Sequence, residues 1–508
     1  MTNTVATLIA FAVYLTIMVI IGGMYMKRTQ NTEDYFLGGR GLSGWVAALS
    51  AQASDMSGWL LMGLPGAVYA FGTGQCWIAV GLFIGTVLNW TIISGRLRRY
   101  TIKANNSLTL PEFFENRFRD EKRILLLVSS IVIAVFFLVY TASALAAGGK
   151  LFNSVFGIDY HIALAIGAVV ILAYTFMGGF MAVCVTDFIQ GTLMLVGLLA
   201  VPIIAIVVLG SGNISGILND SGVAGGASSF LNAFNNDGQP LGAIEIISQL
   251  AWGLGYCGMP HILVRFMAVR DEKELKKSKV IAIVWVAISL VMAVVIGIVG
   301  RAFLFPTILG EAGAASTESV FIEMIKKVFM EHFSLPFIGG IFLCGILAAI
   351  MSTADSQLLV TASAVSKDIY KGVIKKDANE ETVLNMSRIV VAAVAVIAFL
   401  IAWDPNSSIM GLVSNAWAGL GSAFGPIVLM SLFWKRTNLQ GALAGMVSGG
   451  LTVIIWDYIP LMGGQTLGTA TGLYSLLIGF AVSLLFIVVV SLCTKAPSEE
   501  IVKEFEEV

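Results

Sequence analysis

The stretches ASDMSG (residues 53–58) and WGLGYCG (residues 252–258) each interrupt an apolar run that is long enough to cross a bilayer. A helix in hydrocarbon must satisfy its own backbone hydrogen bonds, so unwound backbone at membrane depth is tolerated only where it lines a protein-enclosed cavity. One such break in each half of a chain is typical of the binding site of a secondary transporter. The two breaks therefore predict an all-α integral membrane transporter.

The composition agrees with this class, since hydrophobic residues make up 57% of the chain and charged residues 12%. The formal net charge of −1 gives no indication of nucleic-acid binding. The N-terminal apolar run lacks the basic start and small-residue cleavage site of a signal peptide, so we interpret it as a retained span. Apolar runs of about 20 residues predict thirteen transmembrane helices, at 4–25, 43–70, 76–95, 124–149, 161–179, 186–209, 241–263, 280–304, 335–360, 387–403, 408–433, 440–458 and 471–493.

The distribution of basic residues predicts the orientation, because Lys and Arg are retained on the cytoplasmic side. With the N-terminus outside, 26 of the 30 Lys and Arg residues lie inside, and the thirteenth span leaves the C-terminus inside. Segments 96–123 and 265–279 are then basic inner loops, whereas 210–240 and 459–470 carry no basic residue. Residues 1–493 form a single transmembrane domain in this prediction. The acidic segment 494–508 becomes a cytoplasmic tail, either disordered or a short helix.

Asp55 is the first residue with a specific chemical role. A carboxylate in the middle of a spanning helix costs several kcal/mol in hydrocarbon, so it faces protein or water and usually serves an ion pathway. The short side chains and accessible carbonyls around it suit a hard monovalent cation, which prefers oxygen ligands. The alternative is a small-residue packing patch with an internally paired Asp55.

A second group of oxygen atoms lies in the ninth span. On a helix, Ala349, Ser352, Thr353 and Ser356 occupy positions i, i+3, i+4 and i+7 and share one face. Two hydroxyls and a carbonyl one turn back form part of a cation shell, which the carbonyls of the broken second span, at Ala53 and Met56, could complete. The alternative is helix packing in which the hydroxyls bond to the preceding turn.

Asp187, near the start of the sixth span, has two interpretations that the sequence leaves open. It could lie at a helix N-terminus, where the helix dipole stabilises a carboxylate. It could also contribute to a second cation site that faces Asp355 and Ser356. The sequence alone does not choose between a local structural role and a transported ion.

The break at 252–258 formally matches a dinucleotide-binding fingerprint, but no strand precedes it and it lies in a membrane span. A helix break between the aromatic rings of Trp252 and Tyr256 is the better interpretation. Aromatic faces beside freed backbone N–H groups could bind a small zwitterion, with its carboxylate on the N–H groups. We interpret His261 as a structural hydrogen-bonding residue.

Together these residues give the chain a specific resemblance to the sodium/solute symporter family. The segments that carry it are YFLGGRGLSGWVAALSAQASDMSGWLLMGLPGA at 35–67, LTLPEFFENRF at 108–118, FMGGFMAVCVTDFIQGTLM at 176–194, AWGLGYCGMPHILVRFMA at 251–268 and AAIMSTADSQLL at 348–359. The resemblance implies the five-plus-five inverted repeat of the leucine-transporter type. Repeat 1 would cover 43–209 and repeat 2 would cover 241–433, with 4–25, 440–458 and 471–493 as peripheral spans.

The resemblance also implies individual residue roles. Sodium would be bound by the carbonyls of Ala53, Met56 and Ala349 and the hydroxyls of Ser352 and Thr353. Asp55 and Arg40 would serve sodium coupling, and Asp187 with Ser352, Asp355 and Ser356 would form the second cation site. The residues that would shape a pocket for L-proline are Ser57, Gly58, Tyr140, Trp252, Tyr256 and Pro260.

The resulting hypothesis is sodium-coupled uptake of L-proline by alternating access across a bacterial plasma membrane. The implied partners are Na+, the solute and membrane lipid, with no obligate protein partner. The alternative is a symporter of the same family for pantothenate, a sugar, sialic acid or a monocarboxylate. Cys257 and Met259 depart from the expected family pattern and bear on solute preference. A channel is disfavoured because nothing resembles a selectivity filter, and an enzyme because no nucleophile–base pair or metal cluster lies within the spans.

Overall fold

The computed structural model describes residues 3–26, 32–175, 179–311, 316–461 and 463–508. These residues are almost entirely helical, apart from an antiparallel pair of two-residue strands, β1 (Asn235–Asn236) and β2 (Gln239–Pro240). In the described part of the chain, ten helical segments are long and apolar enough to cross a membrane. The all-α integral membrane class is therefore confirmed.

The helices of the first half are α1 (Asn3–Met26), α2 (Thr32–Leu37), α3 (Gly44–Asp55), α4 (Leu64–Phe71), α5 (Cys76–Leu88), α6 (Ser94–Lys103), α7 (Leu110–Phe118), α8 (Ile124–Phe156), α9 (Tyr160–Thr175), α10 (Phe180–Leu209), α11 (Ile214–Asp220) and α12 (Gly226–Phe230). Those of the second half are α13 (Ala243–Leu250), α14 (Pro260–Ala268), α15 (Glu272–Leu304), α16 (Val320–Ile325), α17 (Pro336–Ser363), α18 (Glu380–Ile401), α19 (Ile409–Phe433), α20 (Leu439–Tyr458), α21 (Leu467–Thr471), α22 (Ser475–Cys493) and α23 (Glu499–Glu506).

Tighter or wider helical turns connect several of these helices. The 3₁₀ turns are Gly38–Arg40, Thr73–Gln75, Ser211–Asn213, Ala251–Gly258 and Thr317–Ser319. The π-helical segments are Trp59–Gly63, Asn89–Ile93, Lys326–His332 and Ala364–Ile374. Such irregular turns are often found at functional sites. One of them, Trp59–Gly63, follows the first predicted break, and another, Ala251–Gly258, contains the second.

Both predicted helix breaks are present. Helix α3 ends at Asp55, and Met56 leaves helical geometry with φ −82° and ψ 71° before a π-helical turn leads into α4. In the second break the chain tightens into 3₁₀ turns after α13, and the extended residue Met259 (φ −90°, ψ 103°) precedes α14. Pro260 is the first residue of α14, a position where a missing N–H is harmless.

Glycines allow another helix to lie directly on the second break. A Cβ atom on Gly253 would lie 2.2 Å from the carbonyl oxygen of Gly81, and one on Gly85 would lie 2.3 Å from the carbonyl oxygen of Gly253. Contacts this short are sterically forbidden, so α5 and the unwound backbone require glycine on both sides. The close packing holds the break in place without any side chain between the two segments.

Some predicted boundaries were wrong. Helix α10 begins at Phe180 instead of residue 186, and α22 begins at Ser475 instead of residue 471. Arg265, predicted in a basic inner loop, lies inside α14 and is buried. The predicted span 161–179 corresponds to α9, which ends at Thr175, while residues 176–178 lie outside the described residues.

The acidic tail forms the amphipathic helix α23 instead of a disordered segment. Its apolar residues Ile501 and Phe505 are buried against the protein. Phe505 lies beneath the guanidinium of Arg96, 4.7 Å from its ring centroid. The carboxylate of Glu504 pairs with Arg119 at 2.5 Å, so charge and apolar contact both attach the tail to the helices before α8.

Candidate functional site

The first break releases a backbone carbonyl that the ninth predicted span then uses. In a continuous helix the N–H of Ser57 would donate to the carbonyl of Ala53, but here it donates to the carbonyl of Asp55 (2.9 Å). The hydroxyl of Ser352 donates to the freed Ala53 carbonyl at 2.7 Å, and the hydroxyl of Thr353 reaches the same oxygen at 3.4 Å. Three oxygen atoms from α3 and α17 therefore meet in a buried position.

Ala349 and Met56 complete this group of residues. The Ser352 hydroxyl also lies 3.3 Å from the carbonyl of Ala349, one turn back on α17. Met56 is the residue at which α3 loses its helical geometry, and both residues are fully buried. The predicted sodium ligands thus lie on the two elements that meet here, and we call this group the α3–α17 oxygen cluster.

Asp55 joins the two helix breaks directly. One of its carboxylate oxygens accepts a hydrogen bond from the Tyr256 hydroxyl at 2.6 Å. Its other carboxylate oxygen is buried and has no hydrogen-bond partner among the described residues. The backbone carbonyl of Asp55 accepts from the indole N–H of Trp59 at 3.0 Å. A buried carboxylate with one unsatisfied oxygen can accept a further proton donor or a cation.

Aromatic residues line the second break. The ring of Tyr256 meets Trp417 edge-on at 5.2 Å, and the Trp417 indole N–H donates to the carbonyl of Trp252 at 2.8 Å. The side-chain amide of Asn89 donates to the Tyr256 carbonyl at 3.1 Å. Carbonyls of the unwound backbone therefore obtain partners from the π-helical segment after α5 and from α19, which helps to keep the two aromatic side chains in fixed positions.

The remaining predicted pocket residues lie in two separate places. Tyr140 on α8 lies near Ser57 and Asp55. Gly58 approaches α8 so closely that a Cβ atom on it would lie 2.8 Å from the Cβ of Ala147. Pro260 lines a separate void of only about 20 Å³ farther along the chain. Ser57, Gly58 and Tyr140 thus surround Asp55, whereas Pro260 lies beyond the break.

A large cavity reaches the second break from one side of the molecule. It has a volume of about 630 Å³ and is lined by loop residues as well as by Trp252. Its wall includes Lys150 and Glu318, whose charged atoms are 2.6 Å apart. Tyr474, which the sequence did not indicate as a site residue, also lines it and stacks on Trp252. The cavity is therefore a route from one surface to the aromatic residues.

Asp187 belongs to a buried ion pair that the sequence did not predict. Its carboxylate accepts from the Ser50 hydroxyl at 2.7 Å and from the Arg265 guanidinium at 3.2 Å. Arg265 also donates to the Ser356 hydroxyl at 2.6 Å and to the His261 carbonyl at 2.6 Å. We call these residues the Arg265 cluster.

Two predictions about these residues need correction. Asp187 lies two turns inside α10, because that helix begins at Phe180, so the interpretation of Asp187 as a helix N-terminal residue was wrong. The ring nitrogens of His261 have no hydrogen-bond partner in the described ranges; the ring packs edge-on against Phe137 and Tyr140. Arg265, four residues after His261, was a sequence signal for the ion pair. It was instead counted among the basic residues of the predicted inner loop 265–279.

Asp355 and Ser356 lie next to this ion pair on α17. The Ser356 hydroxyl is 3.5 Å from a carboxylate oxygen of Asp355 and also accepts from Arg265. Asp187, Asp355 and Ser356, which the sequence grouped as a second cation site, are therefore close together. The guanidinium of Arg265 lies among them in this conformation.

Arg40 lies at the opposite end of the molecule from the cavity and ties several segments together. Its guanidinium donates to the carbonyls of Met267 (2.6 Å) and Ser107 (2.9 Å) and to the side chain of Asn106 (2.9 Å). Burial, and secondarily the charge of Arg98, lowers the pKa of Arg40. The end of α14 is thereby fixed to the segment before α3.

The model of the sodium:solute symporter family matches residues 35–449. The chain is 44% identical over 496 residues to the high-affinity proline transporter PutP of Bacillus subtilis (strain 168), covering 96% of this chain and 98% of the relative. It is 43% identical to the sodium/proline symporter of Escherichia coli (strain K12), covering 98% and 95%.

Two solved structures share the fold. A Na+-coupled sialic acid symporter in a substrate-bound outward-open state gives a TM-score of 0.77 at 19% identity, covering 97% of this chain and 99% of that one. Mhp1, a nucleobase-cation-symport-1 family transporter in a closed conformation, gives 0.53 at 12% identity, covering 94% and 100%. With a family match over most of its length and relatives of this identity, the protein belongs to the sodium:solute symporter family.

Proposed function

We propose that this protein is a transporter that couples the inward movement of Na+ to the uptake of L-proline across a bacterial plasma membrane. The observation that carries the proposal is the 2.6 Å bond between Tyr256 and Asp55. It joins the break that would hold the solute to the break that would hold the ion. The relatives named proline transporters and sodium/proline symporters support both the ion and the solute.

Sodium would bind at the α3–α17 oxygen cluster. Serine and threonine hydroxyls each have two lone pairs, so rotating the O–H bonds of Ser352 and Thr353 away from the Ala53 carbonyl turns all three oxygens toward an ion. The carbonyls of Ala349 and Met56 would complete the shell. Asp55, with its unsatisfied oxygen nearby, would add the negative charge that makes a cation preferable to water.

L-proline would bind between the two breaks. Its apolar ring suits the aromatic faces of Trp252 and Tyr256, and its carboxylate suits N–H groups that the unwound backbone leaves free. Ser57, Gly58 and Tyr140 would form the wall on the Asp55 side, and Pro260 would shape the exit side. The glycine at position 58 keeps that wall close to α8.

Coupling would follow from the shared position of the two sites. An ion that fixes the carbonyls of α3 also fixes Asp55 and thereby Tyr256, so each ligand raises the affinity for the other by a coupling free energy of about 1–3 kcal/mol. In the proposed orientation, a 630 Å³ cavity on one side and the contacts of Arg40 on the other are what an outward-facing conformation would have. Alternating access would open the Arg40 side and close the cavity.

The proposed topology has thirteen spans, with the N-terminus outside and the C-terminus inside. The ten long apolar helices, the two broken pairs α3–α4 and α13–α14, and the shorter helix α9 would supply them. Repeat 1 (43–209) and repeat 2 (241–433) would each begin with a broken span, as expected of an inverted repeat. Cysteine accessibility from each side of intact cells would test both termini.

A second cation site at Asp187, Ser352, Asp355 and Ser356 also remains a proposal. In this conformation the Arg265 guanidinium donates to Asp187 and Ser356. A sodium ion there would have to share these oxygens with Arg265 or displace it. We therefore propose that the second site fills only in conformations in which α14 has moved away from α17.

The test is uptake of radiolabelled L-proline by proteoliposomes under an inward sodium gradient, with a potassium gradient at equal pH as control. We expect accumulation above the outside concentration with sodium alone. Accumulation without sodium would contradict the coupling. No accumulation of proline would favour the alternative solutes, and competition by pantothenate, sugars, sialic acid or monocarboxylates would then identify the class. Changing Cys257 or Met259 would test their influence on that preference.

A further inference from the structure

We propose that Tyr474 is the outer lid of the proline pocket, a positioning and specificity residue supplied by a segment outside both predicted repeats. The inference rests on the proposed function and adds a residue to it. Tyr474 is the residue just before α22. Its ring stacks on Trp252 with the centroids 5.1 Å apart and the planes within 22° of parallel.

Three contacts hold Tyr474 in this place. Its hydroxyl donates to the carbonyl of Ser414 on α19 at 2.7 Å, and its backbone N–H donates to the Ser248 hydroxyl on α13 at 3.1 Å. The same Ser248 hydroxyl donates to the carbonyl of Gly472 at 3.2 Å. The ring is therefore fixed against α13 and α19, the elements on either side of the aromatic residues.

The position of the ring gives it a function. Tyr474 and Trp252 both line the 630 Å³ cavity, so the stacked pair forms its wall where the cavity reaches the second break. From Trp252, a hydrogen bond leads to Trp417, whose ring contacts Tyr256, and Tyr256 bonds to Asp55. A solute entering from the cavity meets the Tyr474–Trp252 pair before Tyr256 and Asp55, neither of which lines the cavity.

A flat aromatic lid favours a flat, compact ring. Aromatic side chains bury a large apolar area at little loss of conformational freedom, because they rotate about only two side-chain bonds. A five-membered pyrrolidine fits under a ring that lies parallel to Trp252, whereas a larger ring would have to displace it. Tyr474 should therefore affect proline affinity and ring-size selection but leave the α3–α17 oxygen cluster unchanged.

The experiment compares Tyr474→Phe and Tyr474→Ala in the full-length transporter in proteoliposomes. We expect Tyr474→Ala to raise the half-saturating proline concentration about 10-fold or more. Six-membered L-pipecolate should compete better against proline in this variant than in the wild type. Tyr474→Phe keeps the stack and loses only the Ser414 bond, so it should stay within about threefold of the wild type. The half-saturating sodium concentration at saturating proline should be unchanged in both.

Tyr160 offers a matched control, because its hydroxyl also donates to a backbone carbonyl, that of Ala402, at 2.8 Å, and Tyr160 does not line the cavity. Tyr160→Phe and Tyr160→Ala should leave the half-saturating proline concentration unchanged. The lid is refuted if the half-saturating proline concentration of Tyr474→Ala equals that of the wild type. It is also refuted if Tyr474→Ala changes only the maximal rate of uptake. Tyr474→Leu carries the same test if Tyr474→Ala does not insert. Loss of sodium-driven proline uptake in the wild type would instead refute the proposed function.

Discussion

The α3–α17 oxygen cluster and the Arg265 cluster join the same two helices one turn apart, yet they have opposite chemistry. The first centres on Ala53 and Ser352, and the second on Ser50 and Ser356, each four or three residues away on the same helix. The first offers neutral oxygens from hydroxyls and a carbonyl. The second contains a carboxylate that already faces a guanidinium 3.2 Å away.

The α3–α17 oxygen cluster can therefore bind an ion, whereas the Arg265 cluster already contains its own cation, the guanidinium of Arg265. The neutral oxygens around a freed carbonyl bind a small cation without themselves carrying a charge when the ion departs. Leaving the buried carboxylate of Asp187 without a charged partner would cost several kcal/mol. Arg265 supplies that partner, so the Arg265 cluster can hold α3, α10, α14 and α17 together whether or not sodium is bound.

The largest effect should come from removing the internal cation. Arg265→Met leaves Asp187 buried without its partner, which should lower the free energy of unfolding by about 3–5 kcal/mol. Thermal unfolding in detergent would measure it. Adding Asp187→Asn should restore part of the stability, because the buried charge is gone.

The same variant tests the second cation site. If sodium can replace Arg265 beside Asp187, sodium should raise the unfolding temperature of Arg265→Met more than that of the wild type. Equal stability of Arg265→Met and the wild type would contradict the ion pair's structural role, and the comparison of the two clusters would then fail.

The next largest effect should be on sodium binding. Ser352→Ala combined with Thr353→Val removes both hydroxyls while keeping the side-chain volumes close. At about 1–1.5 kcal/mol for each lost oxygen, the half-saturating sodium concentration should rise roughly 100-fold. Proline uptake measured against sodium concentration gives this value directly.

Ser289→Ala is the control for this double variant. The Ser289 hydroxyl is buried and donates only within its own helix, to the carbonyl of Trp285 at 2.7 Å. It should leave the sodium dependence unchanged. An unchanged sodium dependence in the Ser352 and Thr353 variant would remove the α3–α17 oxygen cluster from ion binding.

A smaller effect is expected at Asp55. Asp55→Asn keeps an oxygen that can accept from the Tyr256 hydroxyl but removes the negative charge near the oxygen cluster. We expect the half-saturating sodium concentration to rise about 10-fold, with the number of proline-binding sites at saturating sodium nearly unchanged. Equilibrium binding of labelled proline at several sodium concentrations measures both quantities. A loss of proline sites with normal sodium affinity would move Asp55 from ion coupling to the solute pocket.

The smallest effect should come from an ion pair of the same chemistry at the surface. Glu504 pairs with Arg119, and their side chains are 11% and 37% exposed, against 0% and 1% for Asp187 and Arg265. Exposed pairs contribute about 0.2–1 kcal/mol, so Glu504→Gln should lower the free energy of unfolding by less than about 1 kcal/mol, and less still at high salt. A loss as large as that of Arg265→Met would mean that burial does not distinguish the two pairs.

Sequence patterns predicted most of the oxygen cluster and little of the Arg265 cluster. Helical periodicity places Ser352 and Thr353 on one face, and the break after Asp55 frees a carbonyl, so both partners are visible in local sequence. In the sequence, Arg265 lies next to the basic residues of a loop, so a count of loop charges includes it. Its burial depends on where α14 ends and on the contact with α10, which are tertiary facts. Tyr474 was missed for the same reason, since its role arises only where α22 meets α13.

The bond between Tyr256 and Asp55 also has a consequence for the biogenesis of the protein. The two residues are 201 positions apart in the chain. At a synthesis rate of about 5–20 residues per second, Asp55 leaves the ribosome roughly 10–40 s before its partner. During that interval the first broken span must wait at the membrane with an unpaired carboxylate. The hydrogen bond that Asp55 makes in the folded protein is therefore completed late, by a segment from the other half of the chain.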